Sequence, residues 1–130
     1  MKIPKNAVEV ECYHTWMDEE GIVRTKVKLN AQITLDDAKE NSNAVNGFFL
    51  GKKFPILVDS RQIKSITREA RHHFSAQGRD TKANAYAILI NSDISRVVGN
   101  FFLGINKPAV PTKLFDNEEE AVEWLKQYCN

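Results

Sequence analysis

The stretch that decides the fold is ILVDSRQIKSITREARHHFSA, residues 56–76. It opens on an apolar run, Ile56-Leu57-Val58, ends that run on Asp59, crosses a polar turn and restarts near Thr67 as a segment rich in Arg and His. A short continuous apolar run bounded by turn residues fits a strand buried on both faces, the situation in a parallel sheet covered by crossover helices. The handover from strand to helix then recurs: strand 54–59, helix 67–77, strand 85–91, helix from 92 or 93 to 103, strand 112–115, helix 117–128. This alternation predicts an α/β fold with a mixed, mostly parallel sheet covered by helices.

Upstream, residues 7–16 and 22–29 alternate apolar and polar side chains around the acidic turn Asp18-Glu19-Glu20-Gly21, which predicts an N-terminal antiparallel hairpin. Arg24, Lys26 and Lys28 interrupt the apolar residues of the second arm, so one of its faces is expected in water and the strand near a sheet edge. An unpaired edge there leaves a homodimer as an expectation. Thr34, with Asp37 three residues on, predicts a capped helix running to about residue 49. Asp116 is expected to cap the last helix, whose Ala121, Val122, Trp124, Leu125 and Tyr128 form an apolar stripe. Phe48-Phe49-Leu50-Gly51 and its echo Phe101-Phe102-Leu103-Gly104 read as helix endings, glycine closing the turn and phenylalanines packed beneath it.

The chain's 130 residues suit one domain, spanning 1–130. Eighteen Lys and Arg against seventeen Asp and Glu leave a formal charge of +1, so no global field steers the molecule toward nucleic acid or an anionic membrane. No apolar run approaches the roughly 20 residues that cross a bilayer, and the N-terminus has no leader-like segment. Cys12 and Cys129 have neither CxxC spacing nor local partners. Free thiols in a reducing cytoplasm are the expectation.

No catalytic residue, metal or cofactor is expected. His72 and His73 are neighbours on a helix and point about 100° apart, unlike an i, i+4 ligand pair. No glycine-rich phosphate loop or nucleophile elbow is present. Asp59 and Asp93, at strand ends, are the carboxylates an enzyme would use. The remaining signal is charge: Arg61, Lys64, Arg68, Arg71, Arg79 and Lys82 against Asp59, Glu69 and Asp80, gathered around a helix start whose free amides favour anions.

The segments ILVDSRQIKSITREAR and PTKLFDNEEEAVEWLKQY, in this order of elements, resemble the SpoIIAA-like or STAS domains, the anti-sigma-factor-antagonist fold. Within that fold they are most similar to small uncharacterised bacterial proteins, over residues 54–128. The resemblance implies a non-enzymatic protein-interaction or regulatory module. In the phosphorylated antagonists, the turn before the second crossover helix carries Asp-Ser-Ser/Thr-Gly, whose hydroxyl a partner kinase phosphorylates. The corresponding place here is Lys64-Ser65-Ile66-Thr67-Arg68, without that Asp or Gly. The resemblance thus implies Ser65 and Thr67 as candidate phosphoacceptors. Together with the basic cluster, Ser65, Thr67, Arg68, Arg71 and His72 are the expected surface for an acidic or phosphorylated protein partner, which the resemblance implies is of the kinase or anti-sigma kind. A second reading is a carrier of a lipid or small apolar ligand, because SEC14-type domains are loosely similar in element order; an enzyme using the strand-end carboxylates is a third.

Overall fold

The computed structural model describes residues 1–79, 82–91, 93, 96, 97 and 109–129. Its sheet has six strands in the spatial order β1 (Val8–Glu9), β2 (Tyr13–Met17), β3 (Val23–Val27), β5 (Ile56–Asp59), β7 (Tyr86–Leu89) and β8 (Thr112–Phe115). The first three pair antiparallel and the last four, from β3 onward, pair in parallel. A separate ladder joins β4 (Gln32–Ile33) in parallel to β6 (Ser65–Ile66). Helices α1 (Leu35–Asn46), α2 (Arg68–Arg79) and α3 (Glu118–Lys126) complete the described elements. The mixed, mostly parallel α/β architecture is the one the strand and helix alternation predicted. The helix expected from 92 or 93 to 103 and the second Phe-Phe-Leu-Gly segment fall outside the described residues, or nearly so.

Side-chain alternation sends the strands' apolar residues to two different cores. Tyr13, Val23, Val27 and Ile56 pack beneath α1 and α2 with Ala38, Val45, Phe49 and Ala70. Leu57, Ala87, Leu89 and Phe115 face the other way and bury Ala121 and Leu125 of α3, with Trp124 tilted against Phe115. Strand β5 supplies both layers. Ile56 and Leu57 are almost wholly buried on opposite faces, which is what the uninterrupted apolar run required.

Three local expectations need correction. Strand β3 is not near an edge: β2 pairs with it on one side and β5 on the other. Arg24 and Lys26 interrupt its apolar pattern because each is engaged by acids on the α3 side of the sheet, not because that face meets bulk water. The edges of the sheet are β1 and β8. Residues 7–16 form two strands rather than one, with Val10 N–H donating to Tyr13 O across the turn. The last helix is capped by Asn117, whose side chain accepts from Glu120 N–H, one residue beyond the expected Asp116.

The first helix starts as read but ends at Asn46, with Gly47 as its C-cap, ahead of the Phe-Phe-Leu-Gly segment expected to close it. Thr34 and Asp37 form a reciprocal capping box, the hydroxyl accepting from Asp37 N–H and the carboxylate from Thr34 N–H. Gly51 closes the turn after α1 at φ +80°, next to Leu50 at φ +45°, with Phe49 buried and Phe48 half-buried beneath. In the acidic turn, Asp18 Oδ1 accepts from the amides of Glu20 and Ile22, and Gly21 adopts φ +86°.

A line of alternating charges ties the strand ends to α3. Arg24 bridges Asp18 Oδ2 at 2.8 Å and Glu118 Oε2 at 3.1 Å. Glu118 Oε1 lies 3.6 Å from Arg61 Nη2, which with Nε grips the carboxylate of Asp59 at 2.8 and 2.9 Å. Asp59 is 1% exposed. Burial pushes its carboxyl pKa up, but the Arg61 hydrogen bonds and charge outweigh burial and leave it below the usual carboxylate value. Removing Arg61 strands a buried carboxylate whose other cation, Lys26, stands at 4.0 Å. Arg61→Ala is therefore expected to destabilise by about 2 kcal/mol or more in denaturant unfolding, and adding Asp59→Asn to recover part of the loss. A single-variant cost below about 0.5 kcal/mol would contradict the role given to this pair.

Candidate functional site

The β4–β6 ladder decides what the protein presents at the carboxyl end of its parallel strands. Ile33 opposes Ile66 in it, and each strand runs straight into a threonine cap, Thr34 for α1 and Thr67 for α2. Thr67 N–H donates to Ile33 O, Lys64 N–H to Ala31 O and Asn30 N–H to Gln62 O. Two turns that would otherwise be independent are thus stitched together, and the two helix starts are fixed side by side. Their free amides share one end of the molecule.

The predicted surface residues all lie here. Ser65 is exposed on β6, and Thr67 is an exposed N-cap whose Oγ1 accepts from Ala70 N–H at 3.1 Å. Arg68 is exposed and donates through Nε to His72 Nε2 at 3.3 Å, one helical turn on. Arg71 is half-buried and turns back to the carbonyl of Ile66. Arg61 leaves the basic cluster, because Asp59 and Glu118 neutralise it. The cations that define the surface are Lys64, Arg68 and Arg71, with Asp36 and Glu69 exposed nearby.

The strand-end carboxylates do not converge on a cleft. Asp59 is committed to Arg61, and Asp93 is exposed. Among the described residues no three His, Cys, Asp or Glu side chains are grouped as metal ligands. Both cysteines are free thiols. Burial raises the Cys12 pKa to about 11, so this thiol is protonated at neutral pH and a poor nucleophile.

Sequence reading missed a cavity of about 90 Å³ between the sheet, α1 and α2, partly open at exposed Asn46. Short polar residues make room for it: Thr25 on β3, Ser60 after β5, and Asn41 and Ser42 on the inner face of α1. Thr25 Oγ1 meets Thr15 Oγ1 at 3.0 Å and accepts from Asn41 Nδ2. Ser60 donates to Leu89 O. Ser42 Oγ lies 2.8 Å from His73 Nε2, a side-chain link between α1 and α2. The signal was present in the spacing, since positions 38, 41, 42 and 45 fall on one helical stripe.

A family model described as a domain of unknown function (DUF7793) matches residues 15–129. Among solved structures, an uncharacterized DUF3478-family protein from Shewanella loihica PV-4 with a SpoIIAA-like fold superimposes with a TM-score of 0.61. It is 15% identical, over 87% of this chain and 91% of its own, and supports the fold alone. The SpoIIAA-like resemblance seen in the sequence is thereby confirmed. A protein with unknown function from Arthrobacter sp. FB24 is 35% identical over 85% of this chain and 90% of its own, with a TM-score of 0.34. No curated protein matches the chain. No helix among the described residues is long and apolar enough to cross a membrane.

Thr67→Ala is expected to lower stability by about 1 kcal/mol through loss of the α2 cap, and Thr67→Ser to restore most of it, measured by thermal or denaturant unfolding. Equal stability in all three proteins would remove the cap. Burial first, and the Lys39 ammonium second, hold the His73 imidazole below its ordinary pKa of 6.5. A lowered folded pKa means stability that is present above pH 6.5 and lost as pH falls through the folded value. The Tm should therefore drop more steeply on acidification in the parent protein than in His73→Gln; parallel profiles would contradict this.

Proposed function

We propose that this chain, which belongs to the family of the domain of unknown function DUF7793, is a regulatory protein-interaction module that binds an acidic or phosphorylated partner. One observation carries the reading: the β4–β6 ladder presents Lys64, Ser65, Thr67 and Arg68 together, exposed, where two helix starts converge. Cations beside unpaired helix amides favour carboxylate or phosphate oxygens. The module reading is also consistent with the commitment of Asp59 to Arg61 and the protonated state of Cys12, which leave neither group ready for chemistry.

The same placement makes Ser65 and Thr67 the proposed phosphoacceptors. Phosphate on Thr67 would stand at the positive end of α2 within reach of Arg68, adding a charge of about −1.5 to −2. The site is read as a switch in which phosphate occupies the surface intramolecularly and an acidic partner is displaced. The partner, of the kinase or anti-sigma kind by resemblance, is identified by acidic character alone.

The test compares affinity purifications from the source cell with the parent protein, with Arg68→Glu/Arg71→Glu, and with Lys52→Glu/Lys53→Glu as a charge-matched control. Partners retained by the parent and the control but lost from Arg68→Glu/Arg71→Glu are the expected result. Recovery of the same partners by all three overturns the assignment. Phosphosite mapping of the parent is expected to place phosphate on Ser65 or Thr67; stoichiometric phosphate elsewhere only would overturn the switch.

A further inference from the structure

The cavity under α1 and α2 lies beneath the proposed partner surface, with Ile66 of the ladder in its wall, and contains a buried group that the partner surface does not use. Tyr13, on β2, lines it and is 3% exposed. Among the described residues its hydroxyl has no hydrogen-bond partner. No sealed side-chain nitrogen or oxygen is left unsatisfied in the described structure. The lone phenol oxygen is therefore one that touches accessible space, and for a side chain this buried that space is the cavity. Of the other polar groups around it, Thr25 is occupied by Thr15 and Asn41, Ser42 by His73 and Ser60 by Leu89 O, while Asn46 stands at the exposed rim.

An apolar chamber with few open hydrogen-bonding groups is the arrangement by which small-molecule sites orient a ligand. Volume and charge narrow the ligand further. An apolar cavity of about 150 Å³ accommodates benzene, so one of about 90 Å³ takes roughly four to six non-hydrogen atoms once its walls relax. A lipid acyl chain does not fit. The described lining has no Lys, Arg, Asp or Glu, so an ionised ligand would lose its hydration without gaining a counter-charge.

We propose that this cavity is a binding site for a small neutral molecule with one hydrogen-bond-accepting oxygen, which the Tyr13 hydroxyl receives while Val45, Phe74 and Ile88 enclose the apolar remainder. The inference is independent of the partner surface, since it uses the interior of α1 and α2 rather than their exposed starts. A ligand here would fill the gap over which Ser42 and His73 join the two helices, and so stabilise the element that carries the partner surface.

Cyclopentanone, with six non-hydrogen atoms and one carbonyl, serves as the probe, and cyclopentane as its apolar counterpart. Isoleucine and valine methyl NMR of the full chain should show saturable shifts centred on Val45, Ile56, Val58 and Ile88 with cyclopentanone. Tyr13→Phe removes only an unpartnered hydroxyl, so its Tm should stay level or rise. Its cyclopentanone affinity should fall about fivefold while its cyclopentane affinity is unchanged. Val45→Phe, which fills the chamber, should abolish the cavity-centred shifts with both probes. The proposal is overturned if cyclopentanone shifts do not saturate or are spread over the surface, the outcome for a cavity holding water only. It is equally overturned if Tyr13→Phe binds cyclopentanone as tightly as the parent, or if Val45→Phe folds and still binds.

Discussion

Strand β5 has no free side. Strand β3 pairs with it on one edge and β7 on the other, α1 and α2 cover the face carrying Ile56, and α3 covers the face carrying Leu57. Four residues enclosed in this way can be apolar until the strand must end, and this one ends on an aspartate that is itself buried. A carboxylate placed there requires a cation, and the chain supplies it two residues later in Arg61. The polar turn after β5 is thus first an electrostatic closure of the central strand.

That closure shapes what the turn can present. Once Arg61 is turned inward to Asp59 and outward to Glu118, the residues that follow are free to run back toward β4, and the short parallel ladder holds them there. Exposed Ser65 and Thr67 sit on this ladder and at its exit, held by backbone hydrogen bonds rather than by side chains. A surface fixed by its backbone tolerates changes of side chain, which is the physical basis for separating binding from stability at Arg68. The cavity follows from the same layer: where α1 meets the sheet with Asn41 and Ser42 instead of large apolar residues, and the sheet answers with Thr25, the space is left unfilled.

What the sequence made legible was the part governed by strong local rules. Ile56-Leu57-Val58 marked a doubly covered strand, Thr34 with Asp37 marked a capped helix, and the cap at Thr67 stands where the helix was expected to begin. Arg24 and Lys26 misled because alternation of charge records that a face is polar, and the partners that satisfy it, Asp18, Glu118 and Asp59, come from elsewhere in the chain. The cap of α3 was misplaced by one residue because Asp116 and Asn117 are both good caps and only backbone geometry chooses between them. Tyr13 was invisible as a site residue. A tyrosine in an apolar strand gives no sign of whether its hydroxyl finds a partner, and that depends on the distant Asn41, Ser42 and Ser60 which bound its chamber.

Strand β5, covered on both faces and paired on both edges, is expected to be the last element to lose its structure. Native-state hydrogen exchange measures this residue by residue. The amides of Leu57, Val58 and Asp59 are predicted to exchange only through global unfolding, with a free energy equal to that from denaturant titration, while those of Lys64 and Ser65 on the short ladder open at lower cost. Exchange of the β5 amides through local opening, well below the global value, would contradict it.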